Sequence, residues 1–393
     1  MNSTLKTKKV KIIEGTKIYG KSGCFDLVLK EGKINKIVKS NKNNNGIIIP
    51  KLTNIHAHLD KTGTHKRINK KAKSLFEAIE FMDKDKLLWT EDDIYERAEK
   101  AIQDAWRNGT GFIRTHIDWI EEKTPLAWNV LLSLQEKWKS KVVIELASLS
   151  PLDLLPSKGE QICKVIKKNN SILGAFIYMN DNLEEKIKSV FEIADKYSLN
   201  LDFHVDEGLD KDANGIDYII KYTNIFGMKN KVLCSHACSL SIRDENEVLK
   251  ILEGAAHAGI GLTCLPSTNL WLQDNNENRT PRFRGLAPII EAKNFGIPIM
   301  IASDNCQDSF YPYGNHDLLE IFKLALISGH LDENVWFESI TNLPCNWMGF
   351  NCLISEGSDA TFLKFNENSI SEIISLSNQN FEIWEKGEFL KIK

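Results

Sequence analysis

The sequence predicts an α/β protein, a (β/α)8 TIM barrel with a small β-sandwich domain built from both chain termini. Three observations lead there. From residue 47 onward, short apolar strand patterns alternate with amphipathic helical segments. Five of the nine histidines fall at or near the expected ends of those strands. Strand-like pieces also occur near both ends of the chain, and each end holds too few of them for a stable sheet of its own.

In the first fifty residues, strands are expected over 10–13, 16–19, 25–29 and 36–38. The punctuation between them is Glu14-Gly15, Gly20-Lys21-Ser22-Gly23 and Lys30-Glu31-Gly32. A polar loop over 42–46 leads into Ile47-Ile48-Ile49-Pro50. Barrel strands are then expected to end at His56/His58, His116, Leu146, Tyr178, His204, His236, Thr263 and Asp304. Between them, residues 92–106 set Ile94, Ala98, Ala101, Ile102 and Ala105 on one helical face. Residues 183–197 do the same with Ile187, Val190, Phe191 and Ala194. Strands resume over 359–365, 381–384 and 388–392. The expected division is 1–50 and 345–393 for the β domain and 51–344 for the barrel.

A chain of 393 residues accommodates one large and one small domain, and 42% hydrophobic with 26% charged residues is an ordinary globular composition. A net charge of −3 gives no polybasic footprint, so no nucleic-acid partner is expected. No apolar run approaches the ~20 residues that span a bilayer, so no membrane role is expected either. The N-terminal residues lack the apolar core of a signal peptide, and a cytoplasmic protein is expected. The eight cysteines are scattered, which argues against disulfides. Cys234 and Cys238 lack a second ligand pair at zinc-site spacing and read as buried thiols.

In such a barrel the C-terminal strand ends line the active-site mouth. Side chains two apart on a strand share a face, so His56 and His58 can reach one ion. Adding His204 and Asp304 gives three imidazoles and a carboxylate, a set suited to zinc or ferrous iron. A cation bound that way lowers the pKa of a water enough for attack at neutral pH.

Several motifs are similar to the cytosine deaminase branch of the amidohydrolase superfamily. They are His-Ala-His-Leu-Asp-Lys at 56–61, Arg-Thr-His-Ile-Asp at 114–118, His-Val-Asp-Glu at 204–207 and Ser-His at 235–236. Ser-Asp-Asn at 303–305 and Asp308-Ser309-Phe310-Tyr311-Pro312 complete them, in order along nearly the whole chain. The resemblance implies one divalent metal ion, zinc or iron, held by His56, His58, His204 and Asp304. It further implies that His236 hydrogen-bonds the attacking water or the developing oxyanion, and that Glu207 carries a proton to a ring nitrogen. Asp304 would first accept the water's proton and later help protonate leaving ammonia. Binuclear relatives carry a lysine or glutamate after the fourth strand, where this chain has Tyr178-Met179-Asn180, so one metal is expected.

His116 reads as a hydrogen-bonding support for the ligands. His65, His257, His316 and His330 read as structural or solvated. Substrate contacts are expected from Lys61 and Asn305, with Trp271 and Phe310 as a stacking wall for a flat ring.

The pattern departs from cytosine deaminases proper in three places. No glutamine occurs over 148–153, Asn305 replaces a second aspartate, and Phe310 replaces a tryptophan. A site that hydrogen-bonds one ring edge rejects analogues lacking it, so these changes argue against cytosine as substrate. The expected reaction is hydrolytic deamination of another small nitrogen heterocycle, by a homo-oligomer. The alternative is hydrolysis of a cyclic amide, or removal of an alkylamine from a hydroxylated triazine.

Overall fold

The computed structural model describes residues 10–42, 45–68, 70–376 and 380–390. Asn43 and Asn44 of the expected loop, and Lys391 and Ile392 of the expected last strand, lie outside the described residues. The chain divides into two compact units, Met1–Thr53 with Asp332–Lys393, and Asn54–Leu331. The expected boundary at 345 falls inside the first unit, within the short helix Asn342–Trp347.

Strands β1 (Lys11–Ile18), β2 (Cys24–Lys30), β3 (Lys33–Lys39) and β4 (Ile47–Ile49) come first. The barrel strands are β5 (Leu52–Ala57), β6 (Thr110–Asp118), β7 (Val143–Pro151), β8 (Leu173–Ile177), β9 (Leu201–Val205), β10 (Val232–His236), β11 (Gly261–Cys264) and β12 (Ile299–Ile301). Strands β13 (Phe362–Phe365), β14 (Phe381–Glu385) and β15 (Glu388–Leu390) close the chain.

In the terminal unit, seven strands form one sheet in the order β15-β14-β13-β4-β1-β2-β3. Strand β4 joins the two halves, pairing parallel with β1 and antiparallel with β13. Alternating apolar residues such as Phe25, Leu27 and Leu29 pack with Ile34, Ile48 and Phe362 in its core. The expected break at Glu14-Gly15 is instead a bulge within one strand, with the register shifting between Ile13 and Thr16. Gly15 supplies the left-handed φ of 61° there, and its N–H donates to Asp26 Oδ1 at 2.7 Å.

In the second unit, eight strands run β12-β11-β10-β9-β8-β7-β6-β5, parallel at every pairing given. Helices α1 (Leu75–Lys86) and α2 (Glu91–Arg107) follow β5, and α3 (Leu126–Trp138) follows β6. Then α4 (Leu155–Lys168), α5 (Leu183–Tyr197), α6 (Gly215–Ile225) and α7 (Glu245–Ala258) alternate with the strands. Helices α8 (Pro266–Leu272) and α9 (Ile289–Asn294) follow β11, and α10 (Leu318–Gly329) follows β12. This is the expected (β/α)8 TIM barrel, and the other unit is a β domain drawn from both termini.

Helix α2 shows why the local sequence folds as it does. The Thr90 side chain caps it by accepting from Asp93 N–H, and three acidic residues fill its positive first turn. The face expected from spacing, Ile94, Ala98, Ala101, Ile102 and Ala105, is the buried one.

Strand β12 stops at Ile301, short of the expected Asp304, which takes a left-handed φ of 59°. Its N–H donates to His56 O at 2.9 Å, and a parallel bridge from Ala57 to Asp304 joins the first strand to the last. Next to it, Asn54 Nδ2 donates to Ser303 Oγ at 2.8 Å and Asn54 Oδ1 accepts from Ser303 N–H at 3.1 Å. The barrel therefore closes through the residues that also form its site.

Candidate active site

His56 lies on β5 and His58 just beyond it, while His116, His204 and His236 lie on β6, β9 and β10. Asp304 follows β12. All six are buried. They fall into two overlapping groups, His56/His58/His116/His204 and His56/His204/His236/Asp304, whose donor atoms lie within 4.8 Å of one another. Asp304 Oδ1 is 3.4 Å from His56 Nε2 and 3.1 Å from His58 Nε2, and His58 Nε2 is 3.3 Å from His204 Nε2.

Three other ring nitrogens of the cluster have contacts outside it. His56 Nδ1 contacts Ser235 Oγ at 2.9 Å, His58 Nδ1 contacts Lys61 Nζ at 3.2 Å, and His236 Nδ1 contacts Asn269 Nδ2 at 3.1 Å. Such partners set ring orientation and tautomer. Inside the cluster, His56 Nε2 and both Asp304 carboxylate oxygens are buried without a hydrogen bond. Buried polar atoms are normally satisfied, and several orphans converging on one point fit a divalent cation. His236 and Asp304 also hold left-handed φ of 72° and 59°, strain that concentrates at functional sites.

Burial, and then the mutual repulsion of the rings, holds His56, His116 and His204 well below the ordinary imidazole value. Burial brings His236 down to about 4. Burial alone would raise Asp304, but its close contacts with the His56 and His58 rings, and then the other imidazoles around it, outweigh burial and hold the carboxyl well below the usual range. Glu207 goes the other way. Burial, and secondarily the Asp304 charge, push it well above the carboxylate range. Two carboxylates in one site are thus driven to opposite protonation states.

A cavity of about 170 Å³ opens onto His58, His204, His236, Asp304 and Glu207. Asn305, Phe310 and Lys61 also line it. Trp271 does not. It sits on α8 with its ring edge-on to Tyr311 and Tyr313, in a separate pocket lined also by Arg282. Phe310 is held over the cavity by Asp308, whose Oδ1 accepts from the N–H of Phe310 at 2.9 Å and of Tyr311 at 3.1 Å.

Sequence reasoning missed several neighbours. Asp202 on β9 lies 3.3 Å from His116 Nε2 and accepts from Arg114 Nη1 at 2.8 Å. Asp118 lines the cavity, and its place two residues after His116 on one strand was a readable sign of that. Helix α1 supplies Leu75, Ile79, Met82 and Lys86, which recur at helical spacing along a single face.

A barrel that gathers five imidazoles and a carboxylate at its strand ends, beside one cavity, defines an enzyme. The chain belongs to the amidohydrolase family, whose model matches residues 172–368. It is 29% identical to a pterin deaminase of Rhizobium rhizogenes over 352 residues, covering 88% of this chain and 80% of that one. It is 24% identical to an N-isopropylammelide isopropyl amidohydrolase of Pseudomonas sp. (strain ADP) over 325 residues, 78% of this chain and 75% of the other. The crystal structure of a 5-methylcytosine deaminase from Klebsiella pneumoniae liganded with 5-fluorocytosine superposes with a TM-score of 0.88 at 21% identity, covering 98% of each chain.

Proposed function

We propose that this protein is a hydrolytic deaminase that cleaves a C–NH2 bond of a small nitrogen heterocycle other than cytosine. The observation that carries the reading is the pairing of the His/Asp cluster with Glu207 on one cavity. His56, His58, His204 and Asp304 would hold one divalent cation, zinc or iron. When bound, that cation supplies a Lewis acid that makes a water acidic enough to attack at neutral pH.

The other roles belong to the chain's own groups. Asp304, anionic by virtue of its imidazole partners, accepts the proton released by the attacking water and passes it to the amino group, which leaves as ammonia when the C–N bond breaks. Glu207, protonated by burial, delivers a proton to the ring nitrogen next to the reacting carbon. Asn269 Nδ2 donates to His236 Nδ1, which leaves His236 Nε2 as the N–H, unpartnered and ready to donate to the developing oxyanion. Phe310 and Phe176 give the flat ring an apolar wall.

The similarity to a pterin deaminase supports the deaminase reading. Where cytosine deaminases place a glutamine, the cavity offers Leu149 and Pro151, which supports a substrate other than cytosine. The reading places the enzyme in the cytoplasm as a homo-oligomer acting on a small molecule. No helix among the described residues is long and apolar enough to cross a membrane.

Ammonia release by metal-loaded protein tests the proposal, with aminopyrimidines, aminotriazines and pterins as the panel. Ammonia from at least one ring is expected. Release of an alkylamine alone would favour the other hydrolysis suggested by the N-isopropylammelide relative, and turnover of no ring would contradict both.

A further inference from the structure

We propose that Lys86 and Asp118 form the specificity element of this site, reading the adjacent C=O and N–H of a lactam on the substrate ring. The proposal rests on the deaminase reading above and adds a substrate class to it. Both side chains line the cavity that holds the His/Asp cluster, and each keeps some exposure, 18% for Lys86 and 16% for Asp118. Lys86 Nζ lies 2.9 Å from Asp118 Oδ2 and donates to Asp83 Oδ1 at 2.8 Å. An ammonium has three protons, so one of them remains for a ligand. Asp118 accepts one lysine on each oxygen, Lys61 at 2.7 Å and Lys86 at 2.9 Å, and keeps lone pairs for a further N–H. A donor and an acceptor side by side match the acceptor and donor of a lactam edge.

Lys61 does not share this task. Its ammonium is 2% exposed and is held between Asp118 at 2.7 Å and His58 Nδ1 at 3.2 Å, with the Asp60 carboxylate 3.5 Å away. It links the metal cluster to Asp118 and is a positioning residue. The patch is also a poor seat for a carboxylate on the ring, because Asp60, Asp83 and Asp118 outnumber Lys61 and Lys86. The cavity walls nearby are Leu75, Ile79, Met82 and Ile120. A ring lacking the lactam would leave a charged pair unmatched against apolar surroundings, the situation in which polar sites discriminate most strongly.

The test compares rings that differ only in the oxo group: pterin against 2-aminopteridine, and isocytosine against 2-aminopyrimidine. In whichever pair turns over, kcat/KM of the wild type should favour the lactam member by about 100-fold or more. Lys86→Met and Asp118→Asn should each lower that value by roughly 30-fold or more, and by at least about tenfold more than they lower the value for the oxo-free member. Their metal content should stay that of the wild type. An equal fall on both members, or a wild type indifferent to the oxo group, overturns the proposal. Lys86 is the part-exposed partner, so Lys86→Met keeps the test available if Asp118→Asn fails to fold. Should no ring be turned over, the deaminase reading fails separately. Calorimetric binding of the deaminated lactams, lumazine and uracil, then decides: roughly 30-fold weakening in Lys86→Met supports the lactam site, and no binding or unchanged binding overturns it.

Discussion

Glu207 and Asp304 are the residues whose environments differ most for the same chemistry. One carboxyl is buried without a cationic partner, the other lies among imidazoles, and the proposed mechanism uses the first as proton donor and the second as proton acceptor. Glu207→Gln keeps the shape of the side chain but removes its titrating proton. It should retain metal and lower kcat by roughly 10²- to 10⁴-fold, measured as ammonia release beside metal content. Unchanged turnover would remove Glu207 from the mechanism. His316 tests burial apart from the site. It is buried, contacts Thr62 Oγ1 at 3.1 Å and is lowered by burial to about 4. A depressed folded-state value means that stability is present above the unfolded value near 6.5 and is lost as pH falls toward 4. The unfolding free energy of wild type should therefore drop by about 3 kcal/mol more than that of His316→Gln between pH 6.5 and 4 in denaturant titrations. Equal slopes would contradict it.

At the scale of elements, the seam between the first and last barrel strands matters most. Asp304 donates its backbone N–H across the seam and offers its side chain to the cluster, so closure of the barrel and placement of the carboxylate are one event. Asn54 fastens the same seam with two buried hydrogen bonds to Ser303. Asn54→Ala leaves the Ser303 groups without these partners and should cost about 1–3 kcal/mol in denaturant unfolding, with weaker metal retention. A fully stable variant with unchanged metal affinity would separate the seam from the site. The strand ends were legible in the sequence because apolar runs with a histidine at the end mark buried barrel strands. The bulge at Gly15 was not, because a glycine inside a strand and a glycine in a turn look alike until the partner Asp26 is in place. Nor was the side of α8 that carries Trp271, since a seven-residue helix gives too little periodicity to fix which way a ring faces. The role of α1 was hidden for another reason. Leu75, Ile79 and Met82 form an ordinary apolar stripe, and only the tertiary fold makes that stripe a wall of the cavity.

For the whole molecule, the terminal sheet shows how far a pattern argument reaches. Strand fragments at both ends implied a shared sheet, and β4 provides the pairing that joins them. Gly46 is critical to that sheet: with a φ of 75°, it would set any Cβ 1.8 Å from Phe365 O. In the barrel unit, the proposed metal site would couple stability to metal. A cation that binds only the folded chain should raise stability by about 3–4 kcal/mol when free metal exceeds its dissociation constant 100- to 1,000-fold, and chelation should lower the melting temperature accordingly. His204→Ala should abolish that metal-dependent difference. The measurement closest to the central claim is metal reconstitution followed by ammonia release. Chelated protein should be inactive on the ring that turns over, and activity should rise linearly and saturate at one equivalent of zinc or ferrous iron per chain. Activity that survives chelation, or a reconstituted protein that binds metal outside the His/Asp cluster and releases no ammonia from any ring, would contradict the account.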